Sequence, residues 1–559
     1  MADLMGLLGL GARALGAYQL QAATAGNNAA NAATPGYSRR RAVLTELPPV
    51  MVGSVAVGSG VQVATLERLR DALADRRWRS VQGELGLWRA QQDALAAAET
   101  VFGPPGDNAL LDALTQFLAG WGDLSAHPED LAVRQTVVTE GQTLAGVIRR
   151  TAGQLATQRD ELAAALTDVV AAVNDTARRL ADLNRQLQAS RDNPALADER
   201  DRLLDALAGQ VGIRTLEADD GTTSVLLEGT GLALVAGTRA ATLGLAYDAG
   251  TDTYNVTLDG TAVAAPSGRL GGLLDARDGA TGLKGLLASL DTLAGDLIAA
   301  VNALHASATG LEAPASVTGS VTVSNAAAPL GSAGLWRTPV SGTLTLGAVD
   351  ASGAIVASGT VSVDPATMSL TALATAIDAL PGVTATVSGG RLVLAAETSG
   401  QGLVFGADTS GVLVALGVHG FFTGTDARTI DVDPALVAAP GQLATGQADF
   451  LAGRVAPGDN RAAAAVAALG QQPVIGGMAP DDFLGSLTGT LGVASRAARD
   501  RSSTVATLAD DLDRARQAAA GVNLDEELAQ LLQAQQAYAA SATLVRVVNE
   551  MLDTLMRGL

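Results

Sequence analysis

Three histidines, His127, His305 and His419, are the side chains of this sequence best suited to proton transfer or metal binding. A catalytic or metal site needs several such groups within reach of one another, and no HExxH spacing or other histidine pair occurs here. His127 precedes a proline at a predicted helix start, His305 lies on a predicted helix, and His419 lies beside a predicted loop. Capping and packing roles are therefore favoured over catalysis.

Paired acids are the next candidates, because two carboxylates can share acid–base work. The pairs Asp219-Asp220, Asp481-Asp482 and Glu526-Glu527 fall at predicted turns and helix starts, where the helix dipole or solvent stabilises a carboxylate. Lys284 is the only lysine, and it does not stand in a phosphate-binding GxxxxGK[ST] loop. We therefore expect no enzyme activity, no cofactor and no bound metal.

The amino-acid composition limits which kinds of molecule this chain could bind. The chain has 559 residues, a formal net charge of -20 and no cysteine. The negative charge argues against nucleic acid, which requires clustered lysine and arginine, and the run Arg39–Arg41 is too short to supply such a cluster. That run is better explained as a solvated face or a protein contact. Without cysteine, disulfides and thiolate metal sites are excluded.

The beginning of the sequence, MADLMGLLGLGARALG, lacks a basic segment and carries Asp3, so we expect no cleavable signal peptide. No uninterrupted apolar run reaches the length that spans a membrane, and we expect no membrane insertion. If the protein leaves the cell, a route other than general secretion is expected.

Both ends of the chain have the spacing of long helices with a seven-residue apolar repeat. The N-terminal repeat runs from Leu4 to Ala29. The C-terminal repeat predicts an assembly or chaperone-binding seam at Leu524, Leu528, Leu531, Gln535, Tyr538, Val545, Asn549, Leu552 and Met556. Small or polar residues interrupt both repeats, so a lone pair of such helices would be weakly held. The helices are either core helices of a closed bundle or segments that become ordered only when neighbouring copies pack on them.

The stretch NNAANAATPGYSRRR, residues 27–41, interrupts the N-terminal helix. Asparagine competes for backbone hydrogen bonds, a residue before proline is moved out of the helical region, and Pro-Gly turns the chain. Any helix must end, but this segment is long and polar for a simple stop. We therefore predict a joint at which the chain turns away from the terminal helix, formed by Asn28, Asn31, Thr34, Pro35, Gly36 and Tyr37.

The middle of the chain alternates between helical and β patterns. A long helix is predicted through residues 144–187, with a break and restart at Asn193-Pro194, followed by β hairpins near 212–266 with a turn at Asp219–Gly221 and a helix over about 270–307. Residues 315–433 are rich in Gly, Thr, Ser and Val and nearly free of charge, which predicts a β domain. Within it, Ser369 is a predicted N-cap and Gly389-Gly390 a predicted turn.

These patterns predict a multi-domain α+β fold. The terminal helices would form a coiled-coil-like stalk from residues 1–65 with 510–559, disordered in the free monomer. Residues 66–314 with 434–509 would form a helical rod domain, a long helical bundle. Residues 315–433 would form an inserted, outer β-rich domain.

Four stretches of this sequence resemble the flagellar axial proteins, the family of rod, hook and junction subunits. They are NNAANAATPGYSRRR at residues 27–41, SGRLGGLLDARDG at 267–279, GFFTGTDARTIDVDPALVAAP at 420–440, and the C-terminal stretch that begins GVNLDEELAQLL at residue 521. The first is shared widely within the family, whereas GVNLDEE, LGGLLDARD and FFTGTDA together resemble subunits of the hook–filament junction.

The resemblance implies a mechanical function, as a ring of copies that joins the hook to the filament of an extracellular flagellum. It also implies export through the flagellar type III apparatus, contacts with hook protein and with the second junction protein, and an export chaperone on the C-terminal helix. The alternatives are a hook or distal-rod subunit, or a secreted adhesin with a helical stalk and a β head.

Overall fold

The computed structural model describes residues 2–52, 54–103, 108–191 and 193–557. Residues 1, 558 and 559, at the ends of the predicted terminal domain, lie outside the described residues. The chain divides into two compact units. The first unit comprises Met1–Asp93, Leu162–Ala276 and Arg496–Leu559, and the second unit comprises Ala94–Glu161 and Arg277–Ser495.

The helices follow the apolar periodicity of the sequence. They are α1 Ala2–Ala30, α2 Ala72–Phe102, α3 Ala109–Ala126, α4 Leu131–Ala189, α5 Pro194–Gln210, α6 Gly268–Asp278, α7 Leu283–His305, α8 Leu370–Asp378, α9 Val412–Leu416, α10 Pro434–Ala438, α11 Arg461–Ala468, α12 Pro480–Ala520 and α13 Leu524–Arg557.

The strands are short and form small antiparallel sheets. They are β1 Arg40–Glu46, β2 Val50–Val52, β3 Val55–Val57, β4 Val61–Arg68, β5 Ile213–Glu217, β6 Thr223–Leu227, β7 Ala233–Ala236, β8 Arg239–Ala240, β9 Leu243–Asp248, β10 Thr253–Leu258, β11 Thr261–Ala262, β12 Ser316–Thr318, β13 Gly342–Val349, β14 Ile355–Val363, β15 Val383–Ser388, β16 Arg391–Ala396, β17 Gly402–Asp408, β18 Phe422–Thr423 and β19 Asp431–Val432.

In the first unit, α1 and α13 pack side by side in opposite directions. Asn28, near the end of α1, bonds to Glu527 at the start of α13, whereas Gly11 lies beside Val545 much further along that helix. Strands β1 and β4 form an antiparallel ladder from Arg40↔Arg68 to Glu46↔Val61, and this ladder contacts α1. The N-terminal helix, the strands that follow it and the C-terminal helix thus form one packed group.

The rest of the first unit is a small α/β layer. A four-stranded sheet in the order β5-β6-β7-β8 and a three-stranded sheet β11-β10-β9 share a core with α5, α6 and the C-terminal part of α4. The predicted turn between β5 and β6 is confirmed, and Asp220 closes it by accepting hydrogen bonds from the backbone N–H and the hydroxyl of Thr222. The core is aliphatic, with Leu203, Leu204, Leu207, Val225, Leu227, Leu234 and Val235 all buried.

The second unit contains the predicted β domain. Strands β14-β13-β17 form one sheet and β12-β16-β15 another, with α8 packed on this pair of sheets. Ser369 caps α8 by accepting a hydrogen bond from the N–H of Ala372, as predicted. Gly389-Gly390 forms the predicted turn between β15 and β16, with positive φ at both glycines. An aromatic cluster of Phe117, Trp121, Phe421 and Phe422 fills the helical part of this unit.

Asparagines on helices fix strands to them by a repeated arrangement. Asn184 of α4 donates to the carbonyl of Thr223 at 2.9 Å and accepts from the N–H of the same residue at 3.0 Å. Asn174 bonds both backbone groups of Leu243 in the same way, and Asn302 of α7 bonds both groups of Phe422. Each side-chain amide thereby takes the place of a neighbouring strand in satisfying a peptide group.

The multi-domain α+β class is confirmed, as is the long helix through residues 144–187 with its restart at Asn193-Pro194, where Asn193 is the N-cap. The single helix predicted over 270–307 is wrong. It consists of α6 and α7, separated at residues 279–282, where two glycines weaken the helix and Gly282 caps α7. The three-domain division, the coiled-coil-like stalk and the disorder of the free ends stay predictions.

One stretch, Gly268–His305, is long and apolar enough to cross a membrane by length and composition, with a mean hydropathy of 1.4. Half of that window is buried inside the protein, and the stretch is broken between α6 and α7. Along α7, Leu286, Leu290, Leu293 and Leu297 are buried. This is the pattern of a core helix, and it favours the expectation that the chain does not insert into a membrane.

Candidate assembly surface and its joint

The joint is organised around Asn28, which lies on the last full turn of α1 and is 1% exposed. Its side-chain amide donates to the carbonyl of Arg40 at 2.8 Å, and its side-chain oxygen accepts from the N–H of Arg40 at 3.0 Å. The hydroxyl of Tyr37 donates to the same oxygen at 2.7 Å. The helix before the break and the strand after it are therefore held together by one side chain.

The remaining joint residues build the turn itself. Asn31 donates back to the carbonyl and the side-chain oxygen of Asn27, and Thr34 donates to the side-chain oxygen of Asn31. Gly36 has a φ of 79°, a conformation that costs little only without a side chain. Pro35 precedes it in the turn. Four of the six predicted joint residues, Asn31, Thr34, Pro35 and Gly36, thus lie in the turn, whereas Asn28 precedes it on α1 and Tyr37 follows it directly.

Arg39, which follows the turn, connects it to the C-terminal helix. Arg39 donates through Nε to Glu527 at 2.6 Å and through Nη1 to Glu526 at 2.8 Å. The backbone N–H of Arg39 donates to the carbonyl of Ala520, the last residue of α12. Glu527 also accepts from the amide of Asn28 at 2.9 Å. The N-terminal and C-terminal segments of the chain therefore meet at this point.

A second group of charges lies beneath the turn, centred on Asp201 of α5. Its carboxylate contacts Arg68, Arg70, Arg79 and Arg200 at 2.5–3.5 Å. Burial alone would raise the pKa of Asp201, but the four guanidinium groups hold that pKa well below its usual range. The carboxylate is therefore ionised, and it anchors β4 and α2 to α5.

The network extends on both sides of Asp201. Asp198 bonds Arg40 and Arg68, which connects the network to the strand that begins after the turn. Asp205 bonds Arg79 and Arg516, and the guanidinium of Arg516 stacks on Trp78 at 4.1 Å. The run Arg39–Arg41, expected to be solvated or in a protein contact, has two members half-buried in intramolecular ion pairs, whereas Arg41 pairs with Glu67 at the surface.

Sequence reasoning missed Glu527 and the three aspartates. A signal for the aspartates was present, because residues 198, 201 and 205 are spaced to lie on one helix face. Glu527 carried no such signal, since an acid in the first turn of a helix is usually explained by the helix dipole.

The predicted seam on α13 lies mostly on a face that α1 leaves uncovered. Three of its members, Leu531, Val545 and Leu552, are half-buried, and Val545 is the one that contacts Gly11; the exposed members are Leu524, Leu528, Gln535, Tyr538, Asn549 and Met556. A neighbouring row faces α1 instead and repeats every seven residues: Glu527, Ala534, Ser541 and Val548. The intramolecular contact therefore uses mainly small and polar residues, and most of the apolar seam stays available.

The helix pair exposes further apolar side chains beyond the seam. On α1 these are Met5, Leu7 and Leu20, and on α13 they are Leu532, Val547, Met551 and Leu555. Four large apolar residues on the β2–β3 hairpin, Val50, Met51, Val55 and Val57, are also exposed. Exposed apolar surface on this scale is typical of a protein interface, because isolated soluble proteins rarely leave it uncovered.

His305 and His419 are both buried inside the protein. His305 is fully buried, shares Nδ1–H with the carbonyl of His419 at 2.9 Å, and accepts at Nε2 from the N–H of Ala444. Burial lowers the pKa of His305 to about 4, and burial together with the nearby His305 lowers that of His419 to about 3. Both are neutral at pH 7. Among the described residues, no group of three or more His, Asp or Glu side chains is placed to hold a metal ion.

Comparison with known proteins gives two family matches. Residues 95–318 match the helical domain of the flagellar hook-associated protein FlgK, and residues 516–558 match the C-terminal domain of the flagellar basal body rod FlgEFG proteins. The second match covers the whole of α13, including the predicted seam.

Curated relatives extend these matches over the chain. Flagellar hook-associated protein 1 of Escherichia coli is 25% identical over 568 residues, which is 97% of each chain. The Salmonella typhimurium protein of the same name is 25% identical over 571 residues, 97% of this chain and 98% of its own. The Bacillus subtilis protein is 28% identical over 232 residues, 39% of this chain and 45% of its own.

A solved structure supports the fold. The flagellar hook junction protein FlgK from Burkholderia pseudomallei aligns with a TM-score of 0.51 and 17% identity, covering 79% of this chain and 99% of that one.

Proposed function

We infer that this chain, as a member of the flagellar hook-associated protein 1 family, is a structural subunit of the junction between the hook and the filament of the bacterial flagellum. The observation that carries this inference is the terminal helix pair, whose apolar seam is left largely uncovered beside an ordered joint. Two relatives of that name match along 97% of this chain, which supports the inference. The flagellum is an extracellular appendage, so the protein works outside the cell.

The mechanical role follows from the joint. A ring subunit must hold its inner helices at a fixed angle to the part that projects outward, and the bonds of Asn28 and Arg39 supply that constraint. The seam on α13 then contacts neighbouring copies, hook protein and the second junction protein. Because large apolar side chains of both α1 and α13 stay exposed in the free chain, packing of neighbours completes the stability of the two helices.

Export comes before assembly. We propose that the chain passes through the flagellar type III apparatus, and that an export chaperone binds the uncovered face of α13 until the chain is exported. That contact would be an amphipathic helix laid into an apolar groove, with Leu524, Leu528 and Tyr538 as anchors.

The test is a paired substitution, Leu528→Asp with Tyr538→Asp, in cells that carry no other copy of the gene. Both side chains are exposed, by 52% and 42%, so the isolated chain should fold with an unchanged circular dichroism spectrum. We expect loss of swimming and of attached filaments, because two carboxylates would be buried in every subunit contact.

Leu451→Asp is the matched control, since Leu451 is a fully exposed apolar side chain on the turn that follows Asp449. It should leave swimming unchanged. Normal swimming by the seam variant would contradict the proposed function and would favour an adhesin with a stably closed helical stalk. A hook or distal-rod subunit would instead give an absent or shortened hook in electron micrographs of the same cells.

A further inference from the structure

Glu527 is a buried carboxylate in the first turn of α13, and its residue exposure is 1%. One oxygen accepts from the side-chain amide of Asn28 at 2.9 Å, and the other accepts from Nε of Arg39 at 2.6 Å. A buried carboxylate is tolerated when it is paired and hydrogen-bonded, and here both of its oxygens are used.

The two partners come from opposite sides of the helix break. Asn28 belongs to α1, before the turn, and Arg39 belongs to the segment after it. Arg39 is itself fixed at its backbone, because its N–H donates to Ala520 and its carbonyl accepts from Leu69. Glu527 therefore touches the N-terminal helix and the returning chain at once, from the first turn of the C-terminal helix.

The bonds of Glu527 to Asn28 and Arg39 matter because of the residues through which α1 and α13 touch. Most buried apolar residues of the two helices are small, namely Gly11, Ala14, Ala17, Ala25 and Ala534, and Val548 is the one larger aliphatic residue among them. Small side chains bury little apolar area, so they add little apolar stabilisation to the contact. A charge-assisted hydrogen bond is directional, and at the joint it adds a fixed register to the one that the close contact of Gly11 with Val545 gives further along the helices.

We propose that Glu527 is a positioning residue that couples the two terminal segments, so that α1 and α13 become ordered together, starting at the joint. The proposal rests on the inferred role of the helix pair in assembly. It adds the residue at which ordering of the two helices begins. The turns next to the joint are ordered in the free chain. Order then decreases toward residues 2–10 and 547–557, which neighbouring copies stabilise.

Glutamine cannot replace Glu527, although it has nearly the same shape. A glutamine side chain would offer one oxygen and one NH₂ group, and both partners of the native carboxylate are donors. The amide of Asn28 cannot turn over to compensate, because its oxygen accepts from the N–H of Arg40 and from Tyr37. One donor would then face another donor inside a buried site, which costs a hydrogen bond and leaves a polar group unsatisfied.

The experiment is hydrogen–deuterium exchange of the full-length chain, with Glu527→Gln compared with Glu526→Gln. Glu526 is the matched control, since it is in the same helical turn and bonds the same guanidinium but has an exposed side chain. In Glu527→Gln we expect exchange to rise about tenfold in residues 24–30 and 37–46, the loss expected for one charge-assisted hydrogen bond. In Glu526→Gln the same segments should change less than about threefold, as for an exposed ion pair.

Three results would overturn the proposal: a rise confined to residues 524–531, equal effects of the two single substitutions, or no protection of residues 24–30 in the unsubstituted chain. None of these results would by itself contradict the proposed function, because that function is tested separately by swimming. Neighbouring copies could order the two helices without the bonds of Glu527.

Discussion

Asn28 and Arg40 are twelve residues apart in sequence, and the side chain of the first bonds both backbone groups of the second. This is the arrangement that Asn184 makes with Thr223 and Asn302 with Phe422. In each case an asparagine on a helix satisfies a peptide group of a strand. The joint therefore uses the same means of attachment as the interior of the protein.

Asn302→Ala should strongly destabilise the chain. Asn302 accepts from the N–H groups of Phe421 and Phe422 and donates to the carbonyl of Phe422, and all of these groups are buried. Without it, the free energy of unfolding should fall by about 3 kcal/mol, the cost of leaving buried polar groups unsatisfied. Urea unfolding measures this. Asn325→Ala, at a turn where the side chain serves an exposed N–H, should change it by less than about 1 kcal/mol; equal losses would contradict the account.

Asp201→Asn should remove the common partner of four arginines. The loss of one buried member of an ion-pair network leaves uncompensated charge, and we expect a decrease of about 3 kcal/mol or more in the free energy of unfolding. Asp182→Asn is the control, because Asp182 pairs with Arg185 at the exposed surface of α4. Its effect should be within about 0.5 kcal/mol in the same denaturation experiment. A small effect of the Asp201 substitution would show that the network is not needed for stability.

Gly11→Val should separate the terminal helices. A Cβ atom at residue 11 would lie 2.6 Å from Cγ2 of Val545, closer than two non-bonded carbon atoms can approach. We expect faster proteolysis of both terminal segments and reduced swimming, with partial recovery when Val545→Ala is added to make room.

Gly16→Ala is the matched control for that series, since nothing lies within 4 Å of a Cβ atom at residue 16. Alanine there should slow proteolysis slightly, because it favours the helix by up to about 1 kcal/mol over glycine. Rapid cleavage in the control would mean that any side chain on this helix is harmful, which would contradict a specific contact at Gly11.

Stability should decrease below pH 6.5 before the carboxylates titrate. The folded pKa of His305 is lowered to about 4 and that of His419 to about 3, against about 6.5 in an unfolded chain. The unfolded chain therefore binds protons first as the pH falls, so the stabilisation present at pH 7 is lost progressively between pH 6.5 and 3.

The free energy of unfolding at pH 7 and at pH 5 measures this decrease, which we expect to be on the order of a few kcal/mol. His127→Gln should leave the difference unchanged, because His127 caps the end of α3 through its backbone N–H. A flat profile between pH 7 and 5 would contradict the neutral buried pair.

Local patterns in the sequence predicted much of the fold. Three predicted features depend on residues close in sequence, and each is found where expected. They are the helix break at the Asn-rich TPGY segment, the helix restart at Asn193-Pro194 and the helix N-cap at Ser369. The gap between α6 and α7 was missed because apolar periodicity continues across residues 279–282, and only the two glycines indicate it.

The site was harder to predict, because its contacts join residues that are distant in sequence. Apolar spacing identifies the strongest apolar stripe on α13, and α1 leaves most of that stripe uncovered. The row that faces α1 contains Glu527, Ala534 and Ser541, which hydrophobic periodicity cannot detect. The partner of Glu527 could not be inferred either, since 488 residues separate it from Arg39.

The opposite directions of α1 and α13 also bear on how the protein can be labelled. Gly11 lies beside Val545, so the first turns of α1 run alongside the last turns of α13, and these two helix ends lie close to each other. An affinity tag or fluorescent fusion attached at either helix end would then sit beside Met551 and Leu555 and obstruct the same surface. The turn that carries Leu451, whose side chain is fully exposed, is a better attachment point for a reporter of export and ring formation in living cells.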